Sequence, residues 1–194
     1  MVKEELSAFK PVSGATLGVI GLGAIGQAVA ALAASIGMRV VAVRRRAGVE
    51  APPGVGRVYP PSELPHFLGE CDVVVVAAPL TAETRGLIGR DELRAMRRDG
   101  VLVNVSRGKL LREAEVAEEL ARGTIAGAAL DVFEHEPLDP GSPLWDLPNV
   151  IITPHTSAFR RDYWRVTVDL FADNLERFLR GEPLVNVVDK EAGY

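Results

Sequence analysis

Cysteine is almost missing from this chain. Cys71 is the only one in 194 residues, which excludes an intramolecular disulfide and fits a reducing compartment. No apolar run reaches the ~18 uninterrupted residues of a membrane span. The opening MVKEELSAFKPVSG is too polar for a secretory leader, so the expected location is cytoplasmic, with no membrane partner. Positive charge is not in excess. The formal net charge is −4, and without a basic face nucleic acid is not an expected partner. Lysine is scarce beside arginine, and Asn and Gln are few, but these biases carry no functional weight. No short repeat and no low-complexity tract interrupts the chain.

Several chemistries lack their residues. Ser106 and Ser157 have no G-x-S-x-G elbow around them, which argues against a serine hydrolase. RGKL lacks the leading glycine and the Ser/Thr of a P-loop. The EHE at 134–136 has no second histidine cluster to make a metal site, so no metal is expected.

What remains is an ordinary globular balance, 47% apolar and 25% charged. Apolar runs alternate with helical patterns. TLGVIG, RVVAV, RVY, CDVVVVAAP, VLVNV, TIAGAALDV and NVIITPH read as strands. AIGQAVAALAASIG, PSELPHFLGE, GRDELRAMRRDG and EAEVAEELARG read as helices between them. Strands without polar alternation suit a parallel sheet covered on both faces, so the fold class is α/β, a doubly wound Rossmann-like sheet. Residues 160–180 follow as a long amphipathic helix, with Trp164, Val168, Phe171, Leu175 and Phe178 at helical spacing. Ordinary packing is the expectation for that apolar side. The division is a lead-in at 1–13, a dinucleotide-binding domain at 14–158, and a C-terminal helix and tail at 159–194.

Gly21, Gly23 and Gly26 form G-x-G-x-x-G between the first strand and the first helix. The first permits a tight turn, the second lets a pyrophosphate approach the backbone, and the third lets helix and strand pack closely. The helix N-terminus at Ala24 and Ile25 offers N–H groups and a positive dipole end to phosphate. At the end of the second strand, such sites usually carry an acid that holds a ribose hydroxyl. Here Arg44, Arg45 and Arg46 stand there instead. Arginine reverses the sign and can pair with a 2′-phosphate, so NADP(H) is the expected cofactor, with NAD(H) possible.

Three further segments fall at or beyond strand ends: NVSRG at 104–108, LDVFEHEPL at 130–138 and TPHTSA at 153–158. Together they bring an arginine, carboxylates and a histidine to one edge of the sheet. That combination suits acid–base chemistry beside an anion-binding group.

The order of these motifs, with APLTAETRGLI between them, resembles the D-isomer-specific 2-hydroxyacid dehydrogenase family from about Gly14 onward. The resemblance implies that Arg107 binds the substrate carboxylate and carbonyl, that His155 is the acid–base, and that Glu136 orients it. It implies that Asp131 meets the nicotinamide carboxamide, with Val105 and Ser106 along the ring and Pro79 and Thr84 along the cofactor. Ala78, Ser157 and Ala158 complete the expected cofactor contacts. The implied reaction is hydride transfer between nicotinamide and a small 2-oxo acid such as glyoxylate or hydroxypyruvate, in a homodimer.

Two departures stand out. The family carries a substrate domain ahead of the nucleotide-binding domain, and this chain opens almost at the latter, which leads us to expect cofactor binding with little or no turnover. A non-catalytic nucleotide-binding or scaffold module is therefore the alternative, whereas the order of the motifs disfavours an L-specific dehydrogenase. Arg112 stands where the family has an aspartate that would cap the next helix, so a modest local loss of stability is expected. Cys71 reads as a small core residue, and His66 and His135 as structural or solvent-facing.

Overall fold

The computed structural model describes residues 11–45 and 50–191, so Arg46 lies outside the described residues. Seven strands form one sheet: β1 (Thr16–Ile20), β2 (Arg39–Val43), β3 (Arg57–Tyr59), β4 (Val73–Val76), β5 (Val101–Asn104), β6 (Gly127–Leu130) and β7 (Val150–Ile152). The spatial order is β3-β2-β1-β4-β5-β6-β7, and every pairing is parallel. The expected doubly wound α/β sheet is present.

Helices α1 (Ala24–Ser35), α2 (Leu64–Glu70), α3 (Arg90–Ala95) and α4 (Glu113–Ala121) join the strands, and α5 (Tyr163–Leu179) follows β7. The core has two layers. Phe67, Leu68, Leu93, Leu102 and Leu120 pack between the sheet and α2, α3 and α4. Val19, Ala30, Ala33, Val40 and Val75 pack on the α1 side. Gly18 is required in the first layer, because a Cβ there would lie 2.4 Å from the Cys71 Sγ and 2.6 Å from the Phe67 ring. Cys71 is buried as expected, and burial is the main cause pushing its thiol up to about 12.

Register decides where ligands can go. Ile20 pairs with both Val43 and Val76, Val76 with Asn104, Asn104 with Leu130, and Leu130 with Ile152. Each is the last residue of its strand, so the following loops emerge along one straight edge. Strand order reverses between β1 and β4, which opens the crevice where such folds bind ligands.

Three expectations change. α3 stops at Ala95, short of Gly100, because Met96 turns extended at ψ 161°. α5 begins at Tyr163, three residues later than expected. Its apolar row does not pack: Trp164, Val168, Phe171, Leu175 and Phe178 are all exposed, and α5 buries no residue among those described. The sheet is bare nearby too. On the α1 side Val103 and Ala129 are half-buried and Ile151, next in register, is exposed. No described helix is long and apolar enough to cross a membrane.

Arg112 gives the N-terminus of α4 no side-chain cap, as its chemistry requires. The expected loss is offset in two ways. The Glu113 N–H donates to Glu134 Oε1 at 3.0 Å, so an acceptor arrives from the loop after β6. The Arg112 guanidinium bridges Glu92 at 2.8 Å and Glu115 at 3.2 Å, tying α3 to α4. Glu119 on α4 was not anticipated in the core. It is buried, accepting from Arg94, Arg122 and Thr124. The Thr124 hydroxyl, and then the arginines, outweigh burial and hold its carboxyl at about 2.

Candidate functional site

The glycine-rich turn leaves β1 at the strand-end line. Gly21 adopts φ +98°, and a Cβ there would lie 2.7 Å from the Ala78 Cα, so the turn abuts the loop after β4. Gly26 needs its missing side chain even more, since a Cβ would sit 1.9 Å from the Gly21 carbonyl oxygen. Gly23 differs: nothing lies within 4 Å of where its Cβ would be. That open space faces the start of α1, where first-turn N–H groups of Ala24 and Ile25 have no intrahelical acceptor. Gln27 folds back to donate to the Leu22 carbonyl at 2.9 Å, bracing the turn. A bare backbone surface at a charge-free helix N-terminus fits a pyrophosphate.

Arg44 and Arg45 follow β2 at the same edge. The Arg44 N–H donates to the Tyr59 carbonyl at 3.1 Å, and Arg45 reaches to 4.0 Å from Glu83 in the loop after β4. That loop is self-braced. The Thr84 hydroxyl donates to the Pro79 carbonyl at 2.6 Å and accepts from the Thr81 N–H at 2.8 Å. Thr84 thus shapes the wall carrying Ala78 and Pro79, with its hydroxyl already engaged.

After β5 the chain turns about Asn104, a fully buried residue whose role its place at the end of an apolar run does not signal. Asn104 Oδ1 accepts from the Ser106 N–H at 3.1 Å, and Nδ2 donates to the Arg107 carbonyl at 3.1 Å. Ser106 Oγ donates to the Ala78 carbonyl, joining the loops after β5 and β4. Arg107 donates to the Ser106 carbonyl at 2.7 Å and lines a cavity of about 300 Å³. Gly108 was also missed. A Cβ there would fall 1.8 Å from the Phe133 carbonyl carbon, so this glycine lets the loops after β5 and β6 touch.

Asp131 ends the β6 region with its carboxylate turned into the loop after β7. It accepts from the Thr153 hydroxyl at 2.5 Å, the Thr156 N–H at 2.9 Å and the Ser157 N–H at 3.0 Å. Burial pushes this carboxyl up, but the Ser157, Thr153 and Thr156 donors outweigh it and hold it at about 2. The side chain expected to meet the nicotinamide is thus engaged in bracing residues 153–157, and it does not line the 300 Å³ cavity.

That loop presents His155 in a left-handed conformation, φ +53°, with its N–H donating to the Asp131 carbonyl at 2.8 Å. The ring meets Glu136: Nδ1 lies 2.7 Å from Oε2. Glu136 Oε1 accepts from the Phe133 N–H at 3.1 Å. Burial raises the Glu136 carboxyl, yet the bonds from His155 and Phe133 outweigh it and keep it below the ordinary glutamate range. An ionised carboxylate only accepts, so Nδ1 carries the hydrogen and Nε2 is left for an occupant of the cavity. Arg107, Glu136 and His155 all line that cavity, with Leu80, Phe133 and Lys109. Ser157 and Ala158, which follow in the same loop, are exposed. His66 pairs with Glu70 at 3.1 Å, away from this edge, and His135 is exposed. No described group of three or more His, Cys, Asp or Glu could hold a metal ion.

Comparison with known proteins bears on this arrangement. The profile of the D-isomer specific 2-hydroxyacid dehydrogenase NAD binding domain matches residues 2–157. A glyoxylate reductase of Korarchaeum cryptofilum is 42% identical over 183 residues, covering 93% of this chain and 54% of that protein. A glycerate dehydrogenase of Methylorubrum extorquens is 38% identical over 180 residues, covering 92% of this chain and 54% of its own. An NADPH-dependent glyoxylate/hydroxypyruvate reductase from Sinorhizobium meliloti, solved in complex with NADP and sulfate, is similar in structure. Its TM-score is 0.86 at 35% identity, covering 100% of this chain and 63% of that one. The chain spans about half the length of the two sequence relatives. A profile match over most of the chain, on a sheet with this strand order and this glycine-rich turn, makes the protein a member of the D-isomer specific 2-hydroxyacid dehydrogenase family through its NAD binding domain.

Proposed function

We propose that this chain binds NADP(H) along the strand-end crevice and contributes the acid–base half of the reduction of a small 2-oxo acid. The observation that carries this reading is the Glu136–His155 contact of 2.7 Å in a cavity that Arg107 also lines. When bound, the nicotinamide supplies hydride to the carbonyl carbon. His155 delivers a proton from Nε2 to the carbonyl oxygen while Glu136 keeps the ring oriented through Nδ1. Arg107 pairs with the substrate carboxylate and with the negative charge that grows on oxygen. Hydride and proton together give the 2-hydroxy acid.

NADP(H) is the assigned cofactor because Arg44 and Arg45 stand where an acid would repel a 2′-phosphate. The Sinorhizobium meliloti relative was solved with NADP, which supports the choice. NAD(H) binds as the weaker alternative. We take residues 14–158 as the nucleotide-binding unit and 159–194 as a segment serving a second domain, since α5 buries nothing among the described residues. The assembly is a cytoplasmic homodimer acting on small 2-oxo and 2-hydroxy acids such as glyoxylate or hydroxypyruvate.

A second reading, a binding-only module, is favoured by the unpacked apolar row of α5. One experiment separates the two. The chain is titrated with NADPH and with NADH, and then given glyoxylate or hydroxypyruvate. Oxidation of NADPH supports the reductase. Tight binding without oxidation supports the module, and binding of neither nucleotide sinks both.

A further inference from the structure

Glu134 and Glu113 exchange backbone and side chain reciprocally. The Glu134 N–H donates to Glu113 Oε2 at 2.8 Å, and the Glu113 N–H donates to Glu134 Oε1 at 3.0 Å. Two carboxylates tolerate this proximity because each accepts an N–H and both lie at the N-terminus of α4, where the helix dipole favours negative charge. Glu134 lines the cavity that holds Arg107 and His155 on one side, and with Glu113 an adjoining cleft of about 620 Å³ on the other.

The exchange has a geometric consequence for Glu136. The Glu134 N–H belongs to the peptide plane that also contains the Phe133 carbonyl. Gly108 packs against that carbonyl so closely that a Cβ would fall 1.9 Å from its oxygen. One plane is therefore pinned at both edges, by Glu113 through its N–H and by Gly108 under its C=O. The adjacent Phe133 N–H is the donor that holds Glu136 Oε1. Glu136 Oε2 in turn meets His155.

We propose that the reciprocal Glu113–Glu134 pair is a positioning device, fixing residues 133–136 so that Glu136 stays within hydrogen-bond reach of His155. The proposal rests on the reductase reading for its purpose but not for its test. In this role Glu113 and Glu134 act through Glu136. They also replace the cap that Arg112 cannot give, so one contact both starts α4 and orients the acid–base pair.

The test compares two neutral substitutions in this chain, Glu134→Ala and Glu134→Gln. Both remove the same charge, but the glutamine amide oxygen can still accept from the Glu113 N–H. The readout is the titration midpoint of the Glu136 carboxyl carbon by ¹³C NMR, assigned with Glu136→Gln. His155, Asp131, Arg107 and Lys109 face Glu136 unchanged in both variants, so the difference between them reports the clamp. Glu136 is expected to titrate higher in the alanine variant by about half a pH unit or more. Equal midpoints overturn the proposal. If Glu134→Ala does not fold, Glu113→Ala against Glu113→Gln gives the same comparison from the other side, with the same two outcomes. Turnover of NADPH with glyoxylate by the unsubstituted chain is measured separately. Its failure counts against the reductase reading and leaves a midpoint difference intact, whereas equal midpoints with intact turnover sink the positioning role alone.

Discussion

Asp131 holds His155 by its backbone and not by its ring. The His155 N–H donates to the Asp131 carbonyl at 2.8 Å, while the Asp131 carboxylate takes the N–H groups of the two residues that follow the histidine. The left-handed turn at His155 is thereby closed from one side, and the imidazole is left to Glu136. In Asp131→Asn the amide nitrogen must face a donor it cannot accept from. A loop N–H or the Thr153 hydroxyl then loses its partner, at about 1 kcal/mol. Thermal unfolding of the variant should show that loss, and hydrogen exchange at Thr156 and Ser157 should quicken. Unchanged exchange there would mean that the loop does not depend on the carboxylate.

The same carboxylate sets an acid limit. Asp131 is held at about 2 in the folded chain, below an unfolded value near 4, so its contribution is complete above about pH 4. It is lost as pH falls through 2, an amount of about 2 kcal/mol. Glu119, also held at about 2, adds a loss of the same sign over the same window. Denaturant unfolding measured from pH 5 to pH 2 should therefore decline in the native chain and decline less in Asp131→Asn and Glu119→Gln. Parallel pH profiles for all three proteins would contradict this.

The glycine-rich turn and the strand succession were legible because they are local. Strand runs of four or five apolar residues and a glycine spacing carry their own meaning within a dozen positions. The residues that escaped notice act across the chain. Asn104 looks like a polar end to an apolar strand, and Gly108 like the neighbour of an arginine. Both matter because of loops that arrive from elsewhere. Asp131 stands out in the sequence only for a cofactor contact, and it takes the folded loop to show its bonds to residues 153–157. Glu119 sits in an acidic helical stretch that reads as solvated, and its burial depends on Arg94 and Arg122 closing over it. The helical period of α5 was correct, but periodicity reports a face and not what covers it.

Two glycines of the turn, Gly26 and Gly23, should separate by role. Gly26→Ala would place a Cβ 1.9 Å from the Gly21 carbonyl oxygen, which no side-chain adjustment relieves. A loss of about 1–3 kcal/mol or more is expected. Gly23 has φ −75° and open space around it, so Gly23→Ala should stay within about 1 kcal/mol of the native stability. Its NADP⁺ affinity should nonetheless fall by about tenfold or more, because the new methyl occupies the approach to the backbone. Calorimetric titration alongside thermal unfolding checks both halves. Native-like affinity in Gly23→Ala would place the pyrophosphate elsewhere.

Cofactor choice is tested at Arg44, which is only partly exposed at the end of β2. Arg44→Asp restores a group that can accept from a ribose hydroxyl and repel a 2′-phosphate. The ratio of NADPH to NADH affinity should move toward NADH by about tenfold or more. A ratio that does not move would leave the arginine run as a solvated basic loop.

Exposure of α5 makes a contrast with the core that one pair of substitutions can read. Phe67, from α2, is 0% exposed and closes the layer over Gly18 and Cys71, so Phe67→Ala should cost about 3–5 kcal/mol. Phe171 and Phe178 are 68% and 70% exposed. Replacing either with lysine removes apolar surface from water and breaks no described packing, so stability should stay within about 0.5 kcal/mol of native. Lysine at 178 also suits the last turn of the helix, where the dipole favours positive charge. Denaturant unfolding of Phe67→Ala, Phe171→Lys and Phe178→Lys gives the comparison. A loss at 171 or 178 approaching that at 67 would mean that α5 is covered in solution.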